Sequence, residues 1–288
     1  MGRVRGGEPR SAGITRIFPD LHDDLLLDLF HKGARAQWIA SDLDWSLPAR
    51  LSPSRAAALA RLLSPIYLGE QTAMLGASRI LPEVVAAGET TAQLYLSSFM
   101  MDEARHFETL TRLYRTLGQQ PTRLRDMPDL LRYHHRLRLG DRLSWVWGIL
   151  ISDLIAKHFF RAFGQAQSDA LGQLAGRVLQ DESRHLAFAE HYLRRNLPKL
   201  DAERRRELIV MRDDLYRVID RMTERMRADG AEFGVDADVY LERLRTDFEF
   251  FGKRIGLEAP DLPRGIPRVT ASAVAQCFGC LLLLVCRA

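Results

Sequence analysis

Apolar residues recur along this chain every three to four positions over long stretches, and the two-residue alternation of a half-buried strand is nearly absent. The pattern predicts an all-α protein. Residues 1–50 read as a basic N-terminal arm with a short helix near 21–29 and a segment bearing Trp38 and Trp45. A first long helix starts after Ser52-Pro53-Ser54, where Ser suits a cap and Pro a first turn, and runs to about Arg79 with Pro65 as the point of a bend. Thr90 and Thr91 suit the cap of a second helix that ends at Leu117-Gly118. An arginine-rich crossover with Pro121 and Pro128 follows, holding a short helix around 128–137. A third helix runs from Asp141 to about Phe163, and a fourth, capped by Ser168 or Asp169, ends near Asn196-Leu197-Pro198. Two more amphipathic helices, 201–227 and 236–252, precede a stretch rich in Pro and Gly. The middle four helices are joined by short, long and short connections, the wiring of a four-helix bundle with one long crossover and additional flanking helices. The expected organisation is an arm over 1–50, the bundle over 51–197, added C-terminal helices packing on it over 198–258, and a tail over 259–288.

Chemistry enters where two inward stripes are interrupted. Asp102-Glu103-Ala104-Arg105-His106 lies on the second bundle helix and Asp181-Glu182-Ser183-Arg184-His185 on the fourth. Positions i and i+3 share a helix face, so each Glu points with its His. Glu103 and His106 fall on a stripe with Leu96, Phe99, Met100, Phe107 and Leu110; Glu182 and His185 fall on one with Leu171, Leu174, Val178 and Ala189. A buried carboxylate needs a partner, and a metal centre supplies one for all four groups together. Carboxylate oxygens with imidazole nitrogens suit divalent iron or manganese and also zinc. A single Glu-x-x-His is common by accident; two five-residue matches on inward faces are not.

A two-metal carboxylate site takes one more acid from each of the other two helices. The first helix offers Glu70, on a stripe with Leu63, Ile66, Met74 and Ala77. The third is apolar almost all round from Trp145 to Phe160 and offers Asp153, whose alternatives are to support a ligand without binding metal itself or to pair with Lys157 or His158. The candidate catalytic and metal-ligating set is therefore Glu70, Glu103, His106, Asp153, Glu182 and His185. Phe99, Met100, Phe107, Ile149 and Leu150 are expected to line an apolar pocket beside it. His158 reads as a core histidine, His134 and His135 as crossover surface, and Glu190 and His191 as solvated. Tyr67, Tyr95, Tyr114, Trp145 and Trp147 read as packing residues.

Composition sets limits. In 288 residues, 41 basic against 37 acidic side chains leave a net charge of +4, an excess concentrated at the chain ends that gives no case for nucleic acid. The three cysteines, Cys277, Cys280 and Cys286, all lie in the final segment, so no disulfide framework supports the helices. The basic N-terminus has no apolar run behind it, and no stretch reads as the roughly 18 apolar residues of a membrane span. A cytoplasmic protein without membrane partner is expected.

The ligand set resembles the ferritin-like di-iron carboxylate superfamily, which includes bacterial multicomponent monooxygenase hydroxylases, ribonucleotide reductase small subunits, arylamine N-oxygenases and rubrerythrins. The doubled Asp-Glu-x-Arg-His is similar to the hydroxylase form. The resemblance covers roughly 55–195 and implies a ferritin-like bundle holding two iron ions, or manganese or mixed iron and manganese. It further implies an O2-activating oxygenase or oxidase that acts on a small or carrier-bound organic substrate as a homodimer. An external reductase or ferredoxin would supply electrons. The alternative is a ferritin- or rubrerythrin-like iron-oxidising or peroxide-scavenging protein. It also implies that Asp102 and Asp181 hold a ligand histidine or the opposite Arg184 and Arg105, the other reading being exposed helix charges. Three departures matter: Asp153 stands where the family usually has Glu, Leu110 where reductase small subunits place a radical-storing Tyr, and Val178 where arylamine N-oxygenases add a third His.

Overall fold

A computed structural model describes residues 21–45, 51–166 and 170–258. Among these residues the regular structure is helical: α1 (Asp24–Arg35), α2 (Pro53–Ala86), α3 (Thr90–Leu117), α4 (Pro128–Arg138), α5 (Arg142–Ala166), α6 (Ala170–Asn196), α7 (Ala202–Arg225), α8 (Arg227–Ala231) and α9 (Ala237–Ile255). The arm over 1–20, the caps expected from Ser168 and Asp169, and the cysteine-bearing tail lie outside the described residues.

Helices α2, α3, α5 and α6 form the bundle. α2 pairs with α3 and α5 with α6, while α2 also meets α5 and α3 meets α6. The crossover from α3 to α5 carries α4, which α7 covers; α9 packs on α5 and α6, and α1 on α3 and α6. This distribution answers the composition of α5. By length and hydropathy α5 qualifies as a membrane-crossing helix, contrary to the sequence expectation, yet its residues are buried. A helix apolar all round needs neighbours all round, and here α2, α6, α7 and α9 surround it.

Ser52 accepts from the Arg55 amide and Pro53 opens α2 as expected, but α2 continues past Arg79 to Ala86 with Pro82 inside it. Around the Pro65 bend the carbonyl of Ala60 takes hydroxyl hydrogen bonds from Ser64 (2.7 Å) and Tyr114 (2.8 Å). The early helix runs over 24–35 rather than 21–29, because Asp23 caps it through the Leu26 amide. Thr90 and Thr91 do not cap α3; Thr91 is buried and Glu89 occupies the cap position without a side-chain cap bond. The Glu89 carboxylate serves elsewhere, accepting from Tyr192 (2.7 Å) and Arg142 (3.4 Å). The last helix passes Gly252 and stops at Gly256, whose φ of 77° is the left-handed conformation that ends a helix with least strain.

Two α2 glycines show how closely α5 approaches. A Cβ on Gly76 would lie 2.6 Å from the buried Trp145 ring, whereas one on Gly69 would meet nothing within 4 Å. Gly76→Ala is therefore expected to lower stability by about 1–3 kcal/mol, since overpacking outweighs the gain in helix propensity. Gly69→Ala should raise stability by up to about 1 kcal/mol through propensity alone. Denaturant unfolding of the two variants checks this; a stabilising Gly76→Ala would mean the α2–α5 contact is looser than described.

Candidate metal centre

Each bundle helix brings one or two acid or imidazole groups to the same buried point. Glu70 comes from α2, Glu103 and His106 from α3, Asp153 from α5, and Glu182 and His185 from α6; all six are buried. Ligand atoms of Glu70, Glu103 and His106 lie within 4.8 Å of one another, as do those of Glu103, Asp153 and His185. The two groups share Glu103. Glu182 lies between the histidines, with one oxygen 3.9 Å from His106 Nδ1 and the other 3.5 Å from His185 Nδ1. His106 Nδ1 is also 3.5 Å from Glu70, and His185 Nδ1 is 3.2 Å from Glu103.

The other imidazole nitrogen of each ring faces an aspartate from the opposite motif. His106 Nε2 lies 3.1 Å from Asp181, and His185 Nε2 lies 3.3 Å from Asp102. Arg105 and Arg184 bridge the same two aspartates: Arg184 donates to Asp102 (2.8 Å) and Asp181 (2.6 Å), and Arg105 donates to Asp102 and to Asp181 at 3.2 Å. Asp102 and Asp181 are almost fully buried, so the exposed-charge reading fails. The doubled pentapeptide thus builds an interlocked clamp in which each motif orients the other's histidine. Sequence reasoning missed a further member. Trp38, just past α1, donates its indole N–H to Asp181 (3.0 Å), stacks on His106 and lies beneath the Arg105 guanidinium. A Trp outside any predicted helix carries no signal that it reaches a residue so distant in sequence.

The clamp fixes the imidazoles with Nε2 toward an acceptor and leaves both Nδ1 atoms pointing at the carboxylates. Among the buried side-chain atoms without a hydrogen-bond partner are both Nδ1 atoms, Asp153 Oδ2 and Glu182 Oε2. Such atoms are costly unless something binds them. Two arginines balance the two clamp aspartates; four carboxylates then face only two imidazoles. Two divalent cations match both the orphaned atoms and the missing positive charge, so the residues fit a dinuclear metal group.

The metal-free cluster titrates accordingly. Burial and then the neighbouring Glu70 charge push Glu103 well above the usual carboxylate range; burial and Glu182 do the same to Asp153. Glu70 resists the upward push of burial through hydrogen bonds with Glu103 and the His106 charge, and ends lowered. Burial pulls the imidazoles down, but Glu70 and Asp181 raise His106 to about 10, and Asp102 and Glu182 raise His185 to about 9.

Lys157 and His158 do not take Asp153; both bind Asp247 of α9, at 2.6 and 2.8 Å. His191 and Glu190, read as solvated, are half-buried and paired: His191 with Asp23 (2.9 Å) and Glu190 with Arg254 (2.6 Å). His135 is exposed as expected, but His134 is half-buried with Nδ1 3.1 Å from the Thr72 hydroxyl. Tyr95 and Tyr114 are core residues, and Trp147 packs while donating to the Leu208 carbonyl (3.2 Å). A cavity of about 70 Å³ touches Glu70, Glu103, Asp153 and Glu182, hence the carboxylate side of the cluster. Its apolar walls include Ile66, Ala73, Ile155, Ala156 and Ile219, Thr72, Tyr133, His134 and Ser152 also line it, and none of the five apolar residues expected there does. Phe99 instead packs edge-on against His185 at 4.5 Å, on the histidine side. A larger, polar cavity of about 300 Å³ lies beside Glu89, Tyr192 and Asn196 and touches none of the six residues.

No protein-family model matches the sequence, and no curated protein matches it. Solved structures do. A variant of an R2-like ligand-binding oxidase with an anaerobically reconstituted Mn/Fe cofactor aligns with a TM-score of 0.66 at 19% identity, covering 81% of this chain and 94% of that chain. Another variant of such an oxidase, with an aerobically reconstituted Fe/Fe cofactor, aligns with a TM-score of 0.64 at 18% identity and the same coverage. The likeness establishes the fold, a ferritin-like helical bundle.

The clamp makes a specific titration expected. In metal-free protein, imidazole resonances of His106 and His185 should titrate near 10 and 9 rather than about 6.5. Asp181→Asn should lower the His106 value more than that of His185, and Asp102→Asn the reverse. Because these folded-state values lie above the unfolded ones, the imidazolium contribution to stability is complete below pH about 6.5 and is lost as pH rises through 9 to 10. Raised Glu103 and Asp153 act in the same direction, so metal-free protein should lose stability above neutral pH. Ordinary histidine titration of both rings would remove the clamp from the explanation.

Proposed function

We propose that this chain is a di-metal oxidoreductase, an O2-activating oxidase or oxygenase that holds two iron ions or an iron and a manganese. The observation that carries the reading is the pair of three-residue groups joined through Glu103, with unpartnered ligand atoms on every bundle helix except α2. The related folds with Mn/Fe and Fe/Fe cofactors support it. Glu70, Glu103 and His106 would hold one ion, and Glu103, Asp153 and His185 the other. Glu182, with one oxygen toward each histidine, would complete the donor set. Bound there, the ions supply the redox chemistry that activates dioxygen.

The protein's own contribution is positional. Asp102 and Asp181 accept from the Nε2 side of each imidazole, holding the Nδ1 lone pair inward and making it a stronger ligand. The largely apolar walls of the cavity on the carboxylate side disfavour water there and so favour oxidation of a small or carrier-bound organic substrate over storage of iron. Reducing equivalents come from a separate donor protein.

Protein purified from iron-replete cells should carry two transition-metal ions per chain by elemental mass spectrometry. His106→Ala and His185→Ala should each reduce metal content and O2 consumption together. A wild-type chain with no metal would refute the reading.

Asp153 gives a finer test. It is one methylene shorter than Glu, and its Oδ2 has no partner in the protein. Asp153→Ala should lower the occupancy of one ion more than the other, while Asp153→Glu keeps both. Two ions and full turnover in Asp153→Ala would exclude Asp153 as a ligand.

A further inference from the structure

The cavity of about 300 Å³ lies between the start of α3, the end of α6 and the start of α1, away from the metal site. Its size is at the lower end of the range that small-molecule sites occupy. α3 opens into this space without a side-chain cap. Glu89 stands at the cap position, but its carboxylate turns to Tyr192 and Arg142. The first intrahelical bond here runs from the Gln93 amide to the Glu89 carbonyl (3.0 Å). The amides of Thr90, Thr91 and Ala92 have no acceptor among the described residues, and all three residues line the cavity. A helix of 28 residues adds the positive end of its dipole to these donors.

Water satisfies many such helix ends, but Thr91 sets this one apart. It is 5% exposed, it lines the cavity, and its hydroxyl has no hydrogen-bond partner among the described residues. Further along α3, Ser97, Thr111 and Thr116 turn their hydroxyls back to a carbonyl one turn earlier, at 3.0, 2.8 and 3.0 Å. Thr91 lies in the first turn and has no helical carbonyl behind it, so its hydroxyl is left to the cavity. A buried polar group without a partner is costly unless something binds it.

The charges around the cavity leave a positive surplus. Asp23 is matched by His191 (2.9 Å) and by Arg195, and Glu89 by Arg142. Lys199, just past α6, donates to the Asn196 side-chain oxygen (3.0 Å) and pairs with no carboxylate among the described residues. Three amides, a hydroxyl and an ammonium group converge on one space. Two carboxylate oxygens are too few for that set, whereas a phosphate offers three or more oxygens and a second negative charge, and helix N-termini suit it.

We propose that this cavity binds a phosphate group, either the free ion or the monoester of a small polar molecule. The amides of Thr90, Thr91 and Ala92 and the Thr91 hydroxyl donate to its oxygens, and Lys199 balances its charge. The proposal does not depend on the di-metal reading.

The test is calorimetry on the full chain as purified, in chloride buffer, with inorganic phosphate, glycerol 3-phosphate, acetate and glycerol as probes. At least one phosphate is expected to bind saturably and about tenfold or more tightly than acetate, the size of one hydrogen bond to a charged group. Tighter binding of glycerol 3-phosphate assigns the site to a monoester, and equal or tighter binding of inorganic phosphate assigns it to the free ion; either supports the proposal. Thr91→Val removes the hydroxyl at nearly constant volume and should weaken phosphate about tenfold. Lys199→Gln, at an exposed position, should weaken it about three- to fivefold. Arg194→Gln removes a charge from the same end of α6 outside the cavity and should leave binding unchanged. Hydrogen exchange should slow over residues 89–93 when phosphate is added. No saturable binding up to about 10 mM phosphate, acetate binding as tightly as phosphate, or equal weakening by Lys199→Gln and Arg194→Gln would overturn the proposal. So would undiminished phosphate binding by a folded Thr91→Val chain, or protection that leaves residues 89–93 unchanged.

Discussion

Burying four carboxylates and two imidazoles at one point in an apolar bundle is the constraint on which the rest of this structure depends. An isolated buried ion costs several kcal/mol even after relaxation, so such a cluster persists only with compensating charge and hydrogen bonds. Here the requirement is divided between two layers. Asp102, Asp181, Arg105 and Arg184 neutralise one another and fix the Nε2 side of each ring. The inner carboxylates and Nδ1 atoms remain short of positive charge, a deficit that a pair of metal ions would meet.

The outer helices follow from the same constraint. The cluster is buried, and α5, which supplies Asp153, is apolar almost all round. It is enclosed by α2 and α6 of the bundle and by α7 and α9 outside it. The helices beyond the bundle are therefore part of the site's wall: Val218, Ile219 and Met222 of α7 face the cavity that reaches the carboxylates. On the opposite side, α1 and the segment that follows it deliver Trp38 to Asp181. The asymmetry is consistent, with a packed and hydrogen-bonded histidine side and a carboxylate side left with space.

Much of this was legible in the residue pattern. Helical periodicity, proline and glycine punctuation and the short-long-short connections predict the four-helix wiring, because each depends on local backbone chemistry. The two Asp-Glu-x-Arg-His repeats identify the cluster, because i and i+3 necessarily share a face and because polar groups on an apolar stripe need partners. Asp153 stood out for a similar reason, as the acid within an otherwise apolar helix.

Tertiary structure decided what depends on contacts between distant segments. Whether Asp102 and Asp181 are solvated or buried depends on which face α3 shows α6, and periodicity cannot supply that rotation. Lys157 and His158 turn to Asp247 because α9 packs there, leaving Asp153 to the cluster. The pocket lies toward Ile66, Ile155 and Ile219 rather than Phe99 and Leu150, because cavity position is the residue of packing several helices at once. The chain by itself determined which groups must be brought together, since their burial is unfavourable apart. Only the folded arrangement decided which side of them is sealed and which is open, since that is set by side-chain volumes meeting across elements far apart in sequence.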